Sequence, residues 1–144
     1  MKVVIQRVKK ASVIVNNNVV SSISSGMLIL LGISKNDSDK DLIKMTNKIS
    51  KLRIFSDENG IMNSDINQVN GEVLVVSQFT LYANVKKGNR PSYMDAAKAE
   101  QSEPLYNKFV LKLDKLVDNN VKTGVFGANM HVNLINDGPV TIII

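Results

Sequence analysis

The sequence predicts a mixed α/β fold in which strands dominate. Short apolar, β-branched segments recur along the chain, two other segments repeat apolar residues at helical spacing, and the chain closes on Val140-Thr141-Ile142-Ile143-Ile144. At 144 residues the chain makes one domain, residues 1–144, long enough to bury a real core and too short for two. No low-complexity linker divides it.

Residues Lys2 to Val8 and Ser12 to Val15 read as strand with an irregularity around Lys9-Lys10-Ala11, and Asn16-Asn17-Asn18 supplies a turn before Val19-Val20. Met27 to Ile33 is nearly continuous in apolar residues, so both faces of that strand are expected to be covered. Ser38 is a plausible N-cap for a helix with acidic Asp39 and Asp41 at its start. Leu42, Met45, Ile49 and Leu52 give that helix an apolar stripe, and Lys48, Lys51 and Arg53 suit the negative end of its dipole. Gly71 to Val76 reads as a buried strand that ends abruptly in polar residues. A second helix should begin near Ser102-Glu103-Pro104, where proline is tolerated in a first turn, with Leu105, Phe109, Leu113 and Leu116 as core. After a break at Asn119-Asn120, Met130 to Leu134 alternates apolar and polar, and Val140 to Ile144 forms a last short strand. The predicted order is ββ(β)αβαββ.

Composition excludes several classes of function. The absence of cysteine removes disulfides, thiolate catalysis and cysteine metal sites. The longest apolar stretch, Gly26 to Ile33, falls well short of the roughly 20 residues a membrane helix needs, and the first residues lack the pattern of a signal peptide. A soluble, cytoplasmic protein that does not enter a membrane is expected. Eighteen lysines and arginines against 13 acidic residues leave a net charge of +5, which favours a polyanionic partner such as RNA and is also common in proteins without one.

Hydrolase equipment of the usual kinds is thin. There is no Gly-x-Ser-x-Gly elbow and no His-Glu-x-x-His zinc site, and the single histidine, His131, alternates onto the polar face of its strand. Thr80 is the nucleophile candidate by residue type, but no base adjoins it in sequence. Lys86, Lys87 and Arg90 share a loop with Gly88 and Pro91, where such charges are either solvated or in contact with phosphates. Near the C-terminus, Asn136-Asp137-Gly138-Pro139-Val140-Thr141 places a stiff Gly-Pro corner before the last apolar residues. On its own the segment reads as an ordinary turn feeding a terminal strand.

Ser77-Gln78-Phe79-Thr80-Leu81, Lys87-Gly88-Asn89-Arg90-Pro91-Ser92-Tyr93 and the C-terminal Gly-Pro run together resemble the D-aminoacyl-tRNA deacylase family. Ile5-Gln6-Arg7-Val8, Ala11-Ser12-Val13, Leu30-Leu31-Gly32-Ile33, Arg53-Ile54-Phe55-Ser56-Asp57 and Met62-Asn63 complete a similarity that covers essentially the whole chain.

The resemblance implies a two-sheet, β-barrel-like core with two packed helices, arranged as a three-layer ββα sandwich and assembled as a homodimer. It implies an esterase that frees D-amino acids, and glycine wrongly attached to tRNA, from the tRNA 3′ end, with no metal or organic cofactor. Ser77, Gln78, Phe79 and Thr80 would form the catalytic segment, largely through their backbone, around the terminal adenosine and the ester. Phe126, Gly127, Ala128 and Met130 would form another wall, with Phe126 available to stack on adenine. A cis Gly138-Pro139 corner from one subunit would enter the partner's pocket and leave no room for an L side chain, with Arg7 buttressing it. Lys86, Lys87 and Arg90 would meet the acceptor stem. The family also accepts glutamine at the position of His131, which argues against a general base there. Two rivals stay open on the sequence: a catalytically silent RNA-binding domain, and an esterase for small activated esters using Thr80 or Ser77 as nucleophile.

Overall fold

In the computed structural model, which describes residues 1–144, one long strand organises the sheet. This strand, β1 (Lys2–Val15), pairs along one edge first with β3 (Gly26–Gly32), from Lys2↔Gly32 to Val8↔Gly26, and then with β2 (Asn18–Ile23), from Ala11↔Ile23 to Val15↔Asn18. Its other edge is taken by β8 (His131–Ile143). β3 continues in parallel to β6 (Glu72–Ser77), and β6 in parallel to β7 (Val121–Thr123), giving the order β2-β1-β3-β6-β7 with β8 on β1. The two ends of that order meet through side chains: Ser21 Oγ donates to the Thr123 carbonyl at 2.7 Å and Lys122 Nζ to the Ser22 carbonyl at 2.7 Å. The six-stranded sheet is therefore curled almost into a barrel. A second small sheet pairs β4 (Phe55–Ser56) with β5 (Met62–Ser64).

Parallel neighbours need crossover connections, and the two helices supply them. α1 (Asp39–Ser50) lies between β3 and β6 in the chain, and α2 (Ala99–Asp114) between β6 and β7. The helices lie beside one another, joined at the surface by Lys108 Nζ and Asp39 at 3.0 Å. Their apolar stripes, with Leu42 and Ile49 from α1 and Tyr106, Phe109 and Leu113 from α2, pack on Val3, Ile5, Met27, Ile29, Leu31, Val73 and Val75. The alternate residues of the same strands, Leu28, Leu74 and Val76, pack with Val8, Ala11, Val13 and Ile23 in a second core inside the curled sheet. β3 is thus covered on both faces, as its unbroken apolar run predicts.

Ser38 caps α1 as predicted. Asp41 Oδ2 accepts from the Ser38 N–H at 2.9 Å and from Ser38 Oγ at 2.7 Å, and these bonds hold the Asp41 carboxyl below the usual carboxylate range. The helix ends at Ser50, so Leu52 packs against the core from beyond it.

Other boundaries differ from the sequence expectation. α2 starts at Ala99, ahead of the predicted Ser102, because the Lys98 carbonyl accepts from Gln101 N–H (3.1 Å), Ser102 N–H (2.9 Å) and Ser102 Oγ (2.9 Å) and closes an earlier turn. Pro104 therefore sits inside the helix, where its missing N–H forgoes only a bond to the exposed Glu100. The helix also stops at Asp114, before Leu116. β1 is unbroken through Lys9-Lys10-Ala11. The irregularity there appears as a shift against β8, whose partners run Val8↔Asn136 and then Lys10↔Ile135. The two C-terminal strands expected from the sequence are one strand, β8, and the Gly-Pro corner is an excursion within it: pairing passes from Gln6↔Thr141 to Val8↔Asn136. β6 stops at Ser77, and Phe79–Tyr82, with Thr80 among them, form a 3-10 turn. β4, β5 and β7 are two or three residues long and have no counterpart in the predicted order.

Candidate active site

A cleft of about 460 Å³ opens where β6 ends. The strand stops because the Gln78 N–H makes its last ladder bond to the Leu31 carbonyl at 2.8 Å, after which the chain turns into the 3-10 segment. The carboxyl end of a parallel strand is a common place for a ligand crevice, because the connections diverge there. One wall is Ser77, Gln78 and Phe79, and the facing wall is the segment Phe126 to Met130. Ala99, Ser102 and Tyr106 from the first turns of α2 close a third side. Tyr106 and Phe126 pack with ring centroids 5.5 Å apart, and the Tyr106 hydroxyl donates to the Val75 carbonyl at 2.8 Å. Burial pushes the Tyr106 hydroxyl up in pKa, and it pushes Tyr82, at the end of the 3-10 turn, up to about 12.

Of the residues singled out in the sequence, Ser77, Gln78, Phe79, Phe126, Gly127, Ala128 and Met130 come together around this cleft. Thr80 does not line it, but its hydroxyl accepts a hydrogen bond from Gln78 Nε2. No carboxylate or imidazole is hydrogen-bonded to Thr80 or Ser77. His131 is exposed and borders a separate polar hollow with Ile14, Asn16, Asn17 and Asn129. The first bond of the 3-10 turn runs from Leu81 N–H to the Gln78 carbonyl at 3.3 Å, so the N–H groups of Phe79 and Thr80 precede any closed turn.

Arg7, Gly138 and Pro139 do not line the cleft. Residues 137–140 loop out of the β1–β8 ladder opposite Arg7, and Gly138 and Pro139, joined by a cis peptide bond, are exposed at the tip. The base of the loop is closed by Asn136 Oδ1, which accepts from Val140 N–H at 3.0 Å, and Asn136 Nδ2 donates to Gln6 Oε1. Thr141 Oγ1 donates to the same Gln6 oxygen at 2.6 Å. Beneath the loop the buried Arg7 donates from Nε to the Asp137 carbonyl at 3.1 Å and from Nη1 to the Ile54 carbonyl at 2.7 Å. The Asp137 carboxylate sits between Arg7 Nε and Lys9 Nζ, 3.4 Å from each.

A family model described as D-Tyr-tRNA(Tyr) deacylase matches residues 4–144. The chain belongs to that family. It is 55% identical over 144 residues to the D-aminoacyl-tRNA deacylase of Dechloromonas aromatica (strain RCB), covering 100% of this chain and 96% of that protein. It is 56% identical over 144 residues to the D-aminoacyl-tRNA deacylase of Dictyoglomus turgidum (strain DSM 6724 / Z-1310), covering 100% and 92%. Among solved structures it resembles the c-Myc DNA unwinding element binding protein, with a TM-score of 0.95 and 45% identity over 100% of this chain and 97% of that one.

Two parts of the site are not evident from single residues. Tyr106 shares a helix face with Ser102 and Phe109, a spacing that marks it as inward-facing but not as a cleft wall. Gln6 and Asn136, which close the base of the corner, are 130 residues apart, and only the pairing of β8 on β1 brings them together.

Proposed function

We propose that this chain hydrolyses the ester of D-aminoacyl-tRNA, and of glycyl-tRNA to a lesser degree, releasing the free amino acid and the tRNA 3′ end. The observation that carries this reading is a cleft bounded by Ser77-Gln78-Phe79 and Phe126 to Met130 that lacks a paired nucleophile and base, in a chain of the deacylase family. An aminoacyl ester is already activated, so positioning and oxyanion stabilisation suffice for its hydrolysis. Water attacks the ester carbonyl carbon, the carbon–oxygen bond to the ribose breaks, and the ribose oxygen takes up a proton. The N–H group of Phe79, in the cleft wall, is the donor for the developing oxyanion, and Phe126 carries the terminal adenine. Lys86, Lys87 and Arg90, all exposed, take acceptor-stem phosphates.

The same reading makes the working unit a homodimer in which Gly138-Pro139 of one copy enters the cleft of the other. Support comes from the exposure of the corner, which takes no part in lining its own chain's cleft. β8 is paired on one edge alone and exposes Leu134, Ile135 and Ile143, which suits cover by a second copy. Carbonyls of the corner facing the α-carbon would exclude an L side chain by contact, while D-residues and glycine pass.

Release of amino acid from matched D-Tyr- and L-Tyr-tRNA at low enzyme concentration tests the proposal. Rapid loss of the D-ester with the L-ester spared is expected. Equal hydrolysis would leave an unselective esterase, and binding without turnover a silent RNA-binding domain.

A further inference from the structure

We infer that Phe79 and Tyr93 form a stacking platform at the rim of the cleft for the base next to the terminal adenosine of a tRNA 3′ strand. The inference rests on the deacylase reading above. Phe79 lines the cleft and yet is 57% exposed, so its ring serves the rim more than the core. Its outer neighbour is Tyr93, 38% exposed, with ring centroids 5.1 Å apart and planes at 71°. The Tyr93 hydroxyl donates to no protein group. Two adjacent exposed aromatic rings at the mouth of a cleft add little to folding, and they offer a surface on which a nucleobase of any identity can stack.

The connection between the two rings supplies the complementary charge. The chain leaves the 3-10 turn of Phe79 at Ala83, makes a hairpin closed by Asn84 N–H to the Ser92 carbonyl (2.8 Å) and Ser92 N–H to the Asn84 carbonyl (3.0 Å), and returns directly to Tyr93. The hairpin holds Lys86, Lys87 and Arg90, has no acidic residue between 84 and 92, and none of its cations is in an ion pair. Aromatic faces beside unpaired cations are the combination that single-stranded nucleic acid selects, through base stacking and phosphate neutralisation. A strand whose last nucleoside fills the cleft must carry its preceding nucleotide over the rim, and Phe79 is the aromatic residue common to cleft and rim.

Binding of the trinucleotide CCA and of adenosine, titrated separately against the full-length protein, tests the platform without requiring turnover. The wild type should bind CCA about tenfold more tightly than adenosine, and Tyr93→Ala should lose that advantage while keeping its affinity for adenosine. Tyr93→Phe should restore it, since the ring and not the hydroxyl carries the stack. Equal affinities of the wild type for the two ligands, or a parallel loss of both in Tyr93→Ala, would overturn the inference. Hydrolysis of D-Tyr-tRNA by the wild type, followed alongside, reports separately on the deacylase reading.

Discussion

Arg7 reaches under the C-terminal corner and donates from Nε to the Asp137 carbonyl at 3.1 Å, while its Nη1 donates to the Ile54 carbonyl at 2.7 Å. One buried guanidinium thereby ties the corner in β8 to the chain that follows α1. A planar fork with several fixed donors suits this bridge, and a lysine ammonium on a flexible stem does not.

Arg7→Met should cost about 2–3 kcal/mol, because it leaves the buried Ile54 carbonyl without a donor. Denaturant unfolding measures that loss, and the ratio of D-Tyr- to L-Tyr-tRNA turnover measures whether the corner has loosened. Arg7→Lys should lie between wild type and Arg7→Met on both scales. A stable Arg7→Met protein with unchanged discrimination would remove Arg7 from any supporting role.

Gly138 has a φ of +124°, a region that L side chains rarely adopt, and an added Cβ would stand 2.9 Å from Val140 Cγ2 and 3.0 Å from Arg7 Nη2. Gly138→Ala should therefore displace the corner and cost about 1–3 kcal/mol in stability. Turnover of D-Tyr-tRNA should fall by about 10²-fold if the corner is part of the site. Steady-state kinetics at a temperature where the variant is folded provide the check, and full activity would place the corner outside the reaction.

Thr80 accepts from Gln78 Nε2, and no carboxylate or imidazole is hydrogen-bonded to it. Thr80→Ala is expected to keep kcat within about tenfold of wild type, against the roughly 10⁶-fold loss that follows removal of a true serine nucleophile. Single-turnover hydrolysis of D-Tyr-tRNA decides the point. Loss of nearly all turnover in a folded variant would show that the hydroxyl takes part in the chemistry.

Glu72 joins β6 to β7 and to the turn between β2 and β3: its Oε1 accepts from Lys122 Nζ at 2.8 Å and its Oε2 from the Ser24 N–H at 2.5 Å. The Lys122 bond first, and the Ser24 N–H second, hold its carboxyl below the ordinary value of 4.5. A folded-state pKa below the unfolded one contributes stability that is present above the unfolded value and is lost as pH falls through the folded one. Glu72→Gln should accordingly be less stable than wild type at pH 7, by about 0.5–1 kcal/mol given the partial exposure of the pair. The gap should close as pH drops below the ordinary carboxylate range. Thermal unfolding of both proteins across pH 3–7 tests this, and a gap that does not vary with pH would assign the effect to packing.

Strands and helices that carry their own periodicity were legible in the residues. Met27 to Ile33 is apolar on both faces and is buried on both, and Ser38 with Asp41 announces the start of α1. Elements of two or three residues were not legible, because β4, β5 and β7 are too short to show a period and exist only by pairing with a neighbour. α2 starts ahead of the residues that suggest it, because Pro104 looks like a first-turn residue, whereas the Lys98 carbonyl, with no sequence mark of a cap, closes the turn before it.

The division is sharpest at the C-terminus and at the site. The residues carry the family and the strand-rich α/β class, and through the family resemblance they mark Ser77 to Phe79 and Phe126 to Met130 as site blocks; the fold sets those blocks across one cleft from each other. Their residue types are local facts, and a strand ending in polar groups is visible without a partner. It took the folded chain to make residues 131–143 one strand with a loop in it, to hold that loop by Gln6, Arg7 and Asn136, and to make Tyr106 part of the cleft wall. These depend on contacts between residues far apart in the chain, and such contacts form only when β8 has found its register on β1 and α2 has packed against the sheet.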